Sequence, residues 1–234
     1  RVLSRRKTGI WASRDNRIMK QAGIRRADTV VVLDFETTGM SPDRGDRTIE
    51  VGAVRLEAGQ VTGRFQSLMN PGIRINTFIE NFTGISNHMV RDAPCCESVM
   101  REFSAFIDGH DLVAQNASFD RRFLDSELSR IGHGHNGGFA CSMLAARRVY
   151  PDAPNHKLGT LVDYRDIPTD GTFHRALADA EMTAALWLGM LDELRDRYEL
   201  EHIAFPVMQS LTRVPRTEVA ALLGSERRPR EWRT

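Results

Sequence analysis

The stretch that decides the fold is TVVVLDFETTG, residues 29–39, in which an apolar run ends in two acids and a turn. Such a β-branched run, bounded by Thr-Gly, predicts a buried strand over Thr29–Phe35. Because strand side chains alternate between faces, Asp34 and Glu36 share one face. Two adjacent carboxylates suit a hard cation such as Mg²⁺ or Mn²⁺, although solvated strand ends also carry such pairs.

The segments beyond this strand predict a sheet covered by helices. Two further strands, Thr48–Leu56 and Val61–Leu68, are separated by a short Gly-containing loop, which indicates a hairpin. Later strands are predicted at 111–115 and 138–141, and helical periodicity occurs near 79–90, 97–107, 118–128, 142–149 and 174–198, with short helices after residue 203. Three strands followed by alternating helices and strands favour a mixed α/β fold over a bundle or barrel.

Two later motifs also carry acids at the starts of predicted helices. In NASFD, residues 116–120, Ser118 is the expected cap and Asp120 lies in the first turn, where the helix dipole favours a carboxylate. In HRALADA, residues 174–180, small side chains around Asp179 allow the helix to pack closely on a sheet. His174 precedes Asp179 by five residues, and an imidazole can accept a proton near neutral pH. Each motif alone also fits an ordinary helix terminus.

Charge is distributed unevenly, although the whole chain has a net charge of only +1. Residues 1–28 carry nine Lys or Arg and two Asp, a net of +7, and the tail from Arg213 carries +3, so that the centre carries −9. An acidic body between basic arms suits a protein that binds cations centrally and phosphates at its edges. Solvated terminal arms are the alternative interpretation.

The composition indicates one globular domain in a reducing compartment. The 234 residues are 41% hydrophobic, which is enough for one core. No apolar run reaches the ~18 residues of a membrane span, and the Arg-rich start lacks a signal-peptide core, so a cytoplasmic location without membrane attachment is expected. The three Cys residues lack paired spacing and predict neither disulfides nor a zinc site. The expected organisation is a basic arm at 1–28, a domain at 29–200 and a helical, basic tail at 201–234.

In this order, DFETTG, NASFD and HRALADA resemble the motifs of the DEDDh branch of the DnaQ-like 3′-to-5′ exonuclease superfamily. That superfamily includes the proofreading subunit of bacterial DNA polymerase III and ribonuclease T. The segment Phe82-Thr83-Gly84-Ile85 is similar to the family's intervening motif, and the resemblance covers about residues 29–198. It implies a ribonuclease H-like fold, with a five-stranded mixed sheet flanked by helices and the second strand antiparallel to the others.

The resemblance also implies a reaction and the residues that perform it. Metal-dependent removal of nucleoside 5′-monophosphates from a 3′ end is expected, with two divalent cations, Mg²⁺ or Mn²⁺, held by Asp34, Glu36, Asp120 and Asp179. His174 matches the family's general base. The positions that match contacts to the terminal nucleotide are Thr37, Phe82, Thr83, Asn116 and Phe119. Core packing is an equally good interpretation of each Phe.

The motifs do not distinguish DNA from RNA, because the residues in them act on the phosphate and do not contact the 2′ position of the sugar. Single-stranded or frayed 3′ ends of DNA are favoured, and an RNA 3′-end processing exoribonuclease is the alternative. A catalytically weak nucleic-acid-binding accessory subunit is a third interpretation, which five intact reactive residues argue against. A polymerase or another protein partner bound through the termini, and a homodimer, are compatible with the resemblance.

Overall fold

A five-stranded sheet forms the centre of the fold. The computed structural model describes Gly23, residues 25–169, Gly171 and residues 173–224. The strands, in the spatial order β3-β2-β1-β4-β5, are β1 (Val30–Thr37), β2 (Thr48–Glu57), β3 (Gln60–Leu68), β4 (Asp111–Ala114) and β5 (Phe139–Cys141). β2 runs antiparallel to both of its neighbours, whereas β1, β4 and β5 are parallel. The predicted mixed sheet, with its second strand reversed, is therefore confirmed.

Helices cover both faces of the sheet. Their bounds are α1 (Thr77–Thr83), α2 (Asn87–Arg91), α3 (Cys96–Ile107), α4 (Ala117–Arg130), α5 (Ser142–Val149), α6 (Leu158–Tyr164), α7 (Ala176–Tyr198), α8 (Phe205–Leu211) and α9 (Val219–Gly224), with 3-10 turns at Pro42–Arg44 and Arg216–Glu218. The region near 79–90 forms two helices because Gly84 ends α1 in the left-handed conformation, with φ 71°.

The alternation of β1 side chains divides the core into two layers. Val30 and Val32 pack in one layer with α5, α7 and α8, whereas Val31 and Leu33 pack in the other with α3 and α4. Asp34 continues the first series, so that its side chain lies on the α7 side of the sheet. The buried strand therefore places its terminal acids beside the helix that carries HRALADA.

Two expected helix starts differ from those in the structure. α7 begins at Ala176, two residues after His174, because His174 has φ 59° and Arg175 is extended, with φ −131° and ψ 120°. Ser118 does not cap α4, since the cap position is Asn116, whose side chain makes no capping hydrogen bond. Sequence signals locate a helix start only to within one or two residues. The backbone conformation of the residues before the helix then sets the boundary.

The packed unit extends beyond residues 29–200 on both sides. The Ala27 amide donates to the Ile203 carbonyl at 2.9 Å, and the Phe205 amide donates to the Arg25 carbonyl at 2.8 Å. Side chains of α8 and α9 belong to the same core layer as α7. Most of the basic arm, and the last ten residues of the tail, lie outside the described residues. Within the described part of the chain, no helix has the length and apolarity that a bilayer crossing needs.

Candidate active site

Four acids from three separate elements converge at the end of β1. Asp34 and Glu36 lie on β1, Asp120 lies in the first turn of α4, and Asp179 lies in the first turn of α7. α7 can approach because β2 has Gly52 opposite Asp34, where a Cβ atom would lie 2.1 Å from the Ala176 carbonyl carbon. The close approach expected from the small residues of HRALADA therefore also requires a glycine on the strand.

The donor atoms of this cluster are near enough to share a cation. Potential ligand atoms of Glu36, His174 and Asp179 all lie within 4.8 Å of one another. The Phe35 amide donates to Asp120 Oδ1 at 3.3 Å, which attaches that carboxylate to β1 between the two strand acids. Asp179 Oδ1 is buried and accepts no hydrogen bond from the described residues. A buried anionic oxygen without a donor is what a metal ligand requires.

Burial and mutual repulsion make these acids hard to ionise. Burial raises the pKa of Glu36 to about 8, reinforced by the charges of Asp179 and Glu50. Burial also raises the pKa of Asp120 to about 7 and that of Asp179 to about 6, although the nearby His174 opposes the second shift. For Asp34, burial and the Asp120 charge raise the pKa well above its usual value. The protein's own positive charges therefore do not balance these carboxylates, and hard divalent cations fit their oxygens.

The stability of the cation-free protein is expected to fall as pH rises. Unfolded carboxyl groups have pKa values near ~4, whereas those of Glu36, Asp120 and Asp179 are about 8, 7 and 6. The folded state thus binds more protons than the unfolded state between pH ~4 and ~8, and ionisation destabilises it. Mn²⁺ should compensate the ionised acids, so its stabilising effect is expected to be larger at pH 8 than at pH 5.

Thermal unfolding at pH 5 and pH 8, each with EDTA or Mn²⁺, checks this expectation. The informative quantity is the difference in Tm between Mn²⁺ and EDTA at each pH, because it cancels the titration of groups away from the cluster. The same Mn²⁺ increment at both pH values would show that the cation is not bound by these acids.

His174 lies at the exposed edge of the acid cluster in an unusual backbone conformation. Its φ of 59° belongs to the left-handed region, which non-Gly residues seldom adopt and which costs about 1 kcal/mol or more. The imidazole contacts the Phe82 ring, with centroids 4.1 Å apart and an interplanar angle of 39°. His174 is thus held beside Glu36 and Asp179, open to solvent and within reach of a water molecule.

A wall of two aromatic rings flanks His174. Phe78 and Phe82 are one turn apart on α1 and stack at 6.0 Å with an interplanar angle of 9°. They are 73% and 50% exposed, respectively. The helix itself is firmly held, since Asn76 caps it and Glu80 accepts two hydrogen bonds from Asn87. Exposed rings on a rigid support are suited to stacking against nucleobases.

The other positions expected to contact a nucleotide have different environments. The Thr37 hydroxyl donates to the Gly39 carbonyl at 2.6 Å, and the Thr83 hydroxyl donates to Ile79 while it accepts from Ile85, so both stabilise their own turns. Asn116 is exposed. Phe119 is partly buried against Phe123, with ring centroids 5.0 Å apart. Their contacts with a nucleotide stay predictions.

Sequence reasoning missed the fifth acid near the cluster, Glu50 of β2. This residue is fully buried, pairs in register with Glu36 and accepts hydrogen bonds from two guanidinium nitrogens of Arg175, Nε and Nη2. A signal was present, because Glu50 is a lone acid inside the otherwise apolar run of a central strand, where an unpaired charge is costly. Phe78 was also missed, since one exposed Phe in a short helix carries no distinctive pattern.

Comparison with known proteins gives one family and several relatives. A family model described as Exonuclease, RNase_T, matches residues 31–187. The 3′-5′ exonuclease DinG of Bacillus subtilis is 38% identical over 191 residues, covering 79% of this chain and 19% of that protein. A PolC-type DNA polymerase III of Caldanaerobacter subterraneus is 37% identical over 166 residues, covering 71% of this chain and 12% of that protein. The chain therefore spans less than a fifth of either relative.

Solved structures give the same fold. Exonuclease X, in complex with 5′ overhanging duplex DNA, is 25% identical, with a TM-score of 0.61, over 78% of this chain and 99% of that one. The nuclease domain of 3′hExo, a DEDDh family member bound to rAMP, is 20% identical, with a TM-score of 0.62, over 75% and 96% of the two chains. At 20% identity, the similarity to the 3′hExo nuclease domain shows a shared fold only.

Proposed function

Because this chain belongs to the RNase_T exonuclease family, we propose that it removes nucleotides one at a time from the 3′ end of nucleic acid as 5′-monophosphates. The observation that carries this proposal is the convergence of Asp34, Glu36, Asp120 and Asp179 from three elements, beside His174 and an exposed aromatic wall. A catalytically weak binding module has no need of four buried acids with raised pKa values, one of them with an oxygen that lacks a donor.

The proposed roles follow from the position of each group. Asp34, Glu36, Asp120 and Asp179 hold two divalent cations, Mg²⁺ or Mn²⁺. When bound, such ions neutralise the phosphate and stabilise both the attacking and the leaving oxygen. His174 accepts the proton of the attacking water, since its exposed imidazole lies beside Glu36 and Asp179. The phosphorus–O3′ bond breaks, the O3′ atom of the shortened strand takes up a proton, and a nucleoside 5′-monophosphate is released.

We propose DNA with an unpaired 3′ end as the substrate. The support comes from the relatives, namely a DNA polymerase III of the PolC type and Exonuclease X solved with DNA. Phe82 stacks on the terminal base, which suits an unpaired strand because every base has a π face. RNA is the alternative substrate. Binding of a polymerase or another protein through the basic arm or the tail, and formation of a homodimer, are further proposals.

Cleavage of 5′-labelled single strands tests this function. Matched DNA and RNA oligonucleotides are incubated with the full chain in Mg²⁺, Mn²⁺ or EDTA. The proposal expects a ladder that shortens from the 3′ end only with a cation, and faster with DNA. Faster shortening of RNA would assign the chain to RNA ends. Binding without shortening of either strand would refute the exonuclease function for single strands.

Phe82→Ala is expected to weaken substrate binding roughly 5- to 150-fold, because stacking of one base contributes about 1–3 kcal/mol. The half-saturating enzyme concentration in single-turnover cleavage of single-stranded DNA measures this effect. Since Phe82 is 50% exposed, the variant should fold normally. Tyr164→Ala is the matched control, because Tyr164 is a 41% exposed aromatic residue that packs on Tyr150. Equal affinities of the two variants would show that Phe82 only packs on His174.

A further inference from the structure

Glu50 accepts four hydrogen bonds although it lies in a region crowded with other acids. Arg175 donates to it through Nε at 3.1 Å and Nη2 at 2.8 Å, the Ala176 amide donates at 3.1 Å, and Gln66 donates at 2.9 Å. Both carboxylate oxygens are therefore occupied by protein donors. Glu50 is thus suited to hold other groups in place and not to serve as a further cation ligand.

A carboxylate at this position is costly for the fold. Glu50 is fully buried and lies opposite Glu36, and its charge helps to raise the pKa values of Asp34, Glu36 and Asp179. If this position served only the stability of the fold, a neutral side chain would suit it better, because a fifth buried negative charge is costly even when it is paired. Three of its four hydrogen bonds come from Arg175 and Ala176, the two residues that follow His174.

The contact fixes the backbone on one side of His174. Arg175 is extended and immediately precedes α7, so its planar guanidinium and the first amide of the helix are both attached to the same carboxylate. His174 is exposed and has φ 59°, a conformation that persists only when neighbouring contacts enforce it. The side chain of His174 is held less firmly. Among the ring contacts of the described residues, its imidazole contacts one ring of the aromatic wall, that of Phe82.

We propose that Glu50 and Arg175 form a positioning clamp that holds His174 in its left-handed conformation beside Glu36 and Asp179, so that the cleavage rate depends on an ion pair that touches no substrate. The proposal rests on the exonuclease function proposed above. It makes Glu50 and Arg175 positioning residues that act through His174, which remains the group that accepts the proton.

Single-turnover cleavage of labelled DNA separates this role from substrate binding. Glu50→Gln and Arg175→Met are each expected to lower the rate constant at saturating enzyme by about 10- to 100-fold, the scale of a small misplacement of a catalytic group. The half-saturating enzyme concentration should change less than about threefold. Arg175 is partly exposed, so Arg175→Met should fold even if the buried Glu50→Gln does not.

Combination with His174→Ala gives the decisive readout. In that background, the rate should fall no further when Glu50→Gln or Arg175→Met is added, because the clamp has no base left to position. The matched control is Arg64→Met, which removes another ion pair between the sheet and α7, to Glu181, and should leave the wild-type rate unchanged. Melting curves of every variant identify any that unfold.

The possible results distinguish a positioning role from a role in stability or in substrate binding. Equal rate losses with and without His174 would overturn the proposal and assign the ion pair to stability. A weaker half-saturation with an unchanged rate constant in Arg175→Met would also overturn it, because Arg175 would then bind substrate. Wild-type protein that does not shorten DNA or RNA would refute the exonuclease function, and the clamp with it. An active wild type whose clamp variants behave like Arg64→Met would refute the clamp alone.

Discussion

Asp34→Asn is expected to abolish cleavage while making the cation-free protein more stable. Loss of one proposed cation ligand should slow cleavage at least about 10³-fold, since a bound cation contributes several kcal/mol to the transition state and each 1.4 kcal/mol is a factor of ten. The stability gain arises because burial and neighbouring acids raise the pKa of Asp34, so that its ionised form is repelled in the fold. Cleavage rate and Tm in EDTA at pH 8 measure the two effects.

Asp111→Asn is the matched control for that experiment. Asp111 is also a buried acid of the sheet, but it lies at the start of β4 and accepts hydrogen bonds from Arg25 and the Gly138 amide. This substitution should leave the rate unchanged and lower the stability by about 1–2 kcal/mol, because it weakens a charge-assisted hydrogen bond. Opposite signs of the two stability changes are therefore expected. A lower Tm for Asp34→Asn in EDTA would contradict the interpretation of the acid cluster as a site of repulsion.

Gly52→Ala should have the largest effect on stability. The new Cβ atom would lie 2.1 Å from both the Ala176 carbonyl carbon and the Leu177 amide nitrogen, which are backbone atoms that no rotamer change can move. We expect a loss of about 3 kcal/mol or more, at the upper end for an overpacked core, and a Tm lower by about 6–12 °C. Cleavage should also fall, because the displaced first turn of α7 carries Asp179.

Gly189→Ala tests whether that loss is specific to the contact between β2 and α7. Gly189 lies within α7, and an added Cβ atom would be 3.6 Å from the Tyr150 hydroxyl, an ordinary contact. Alanine has the higher helix propensity, so this variant should gain up to about 1 kcal/mol. Similar Tm values for the two glycine variants would mean that α7 can withdraw from the sheet without loss.

Local sequence signals predicted the sheet and most of the helices. The strand ends deviate by at most two residues, and the alternation expected along β1 agrees with the packing of Val30 and Val32 in one core layer and of Val31 and Leu33 in the other. The two-residue turn at Ala58 and Gly59, both with positive φ, matches the expected hairpin. These features depend on neighbours in the sequence, and their periodicity is visible in a single chain.

Features that depend on distant partners were not predictable from the sequence. The partner of Glu50 lies 125 residues away, and neither residue indicates the other. α6 was missed because its second residue is Gly159, and the burial of Leu161 and Val162 stabilises a helix that its propensity does not favour. The left-handed conformation of His174 likewise depends on tertiary contacts, so that α7 begins two residues after His174.

The most direct test of the account is the identity of the product released from a single-stranded DNA in ¹⁸O-labelled water with Mn²⁺. Mass spectrometry should find nucleoside 5′-monophosphates with one ¹⁸O on the phosphate of each nucleotide released by hydrolysis. Wild-type protein should yield them from the 3′ end, whereas Asp34→Asn should yield none. Release of 3′-phosphates, of oligonucleotides cut internally, or of no product by the wild type would contradict the assignment of these acids and His174 to a 3′-to-5′ exonuclease.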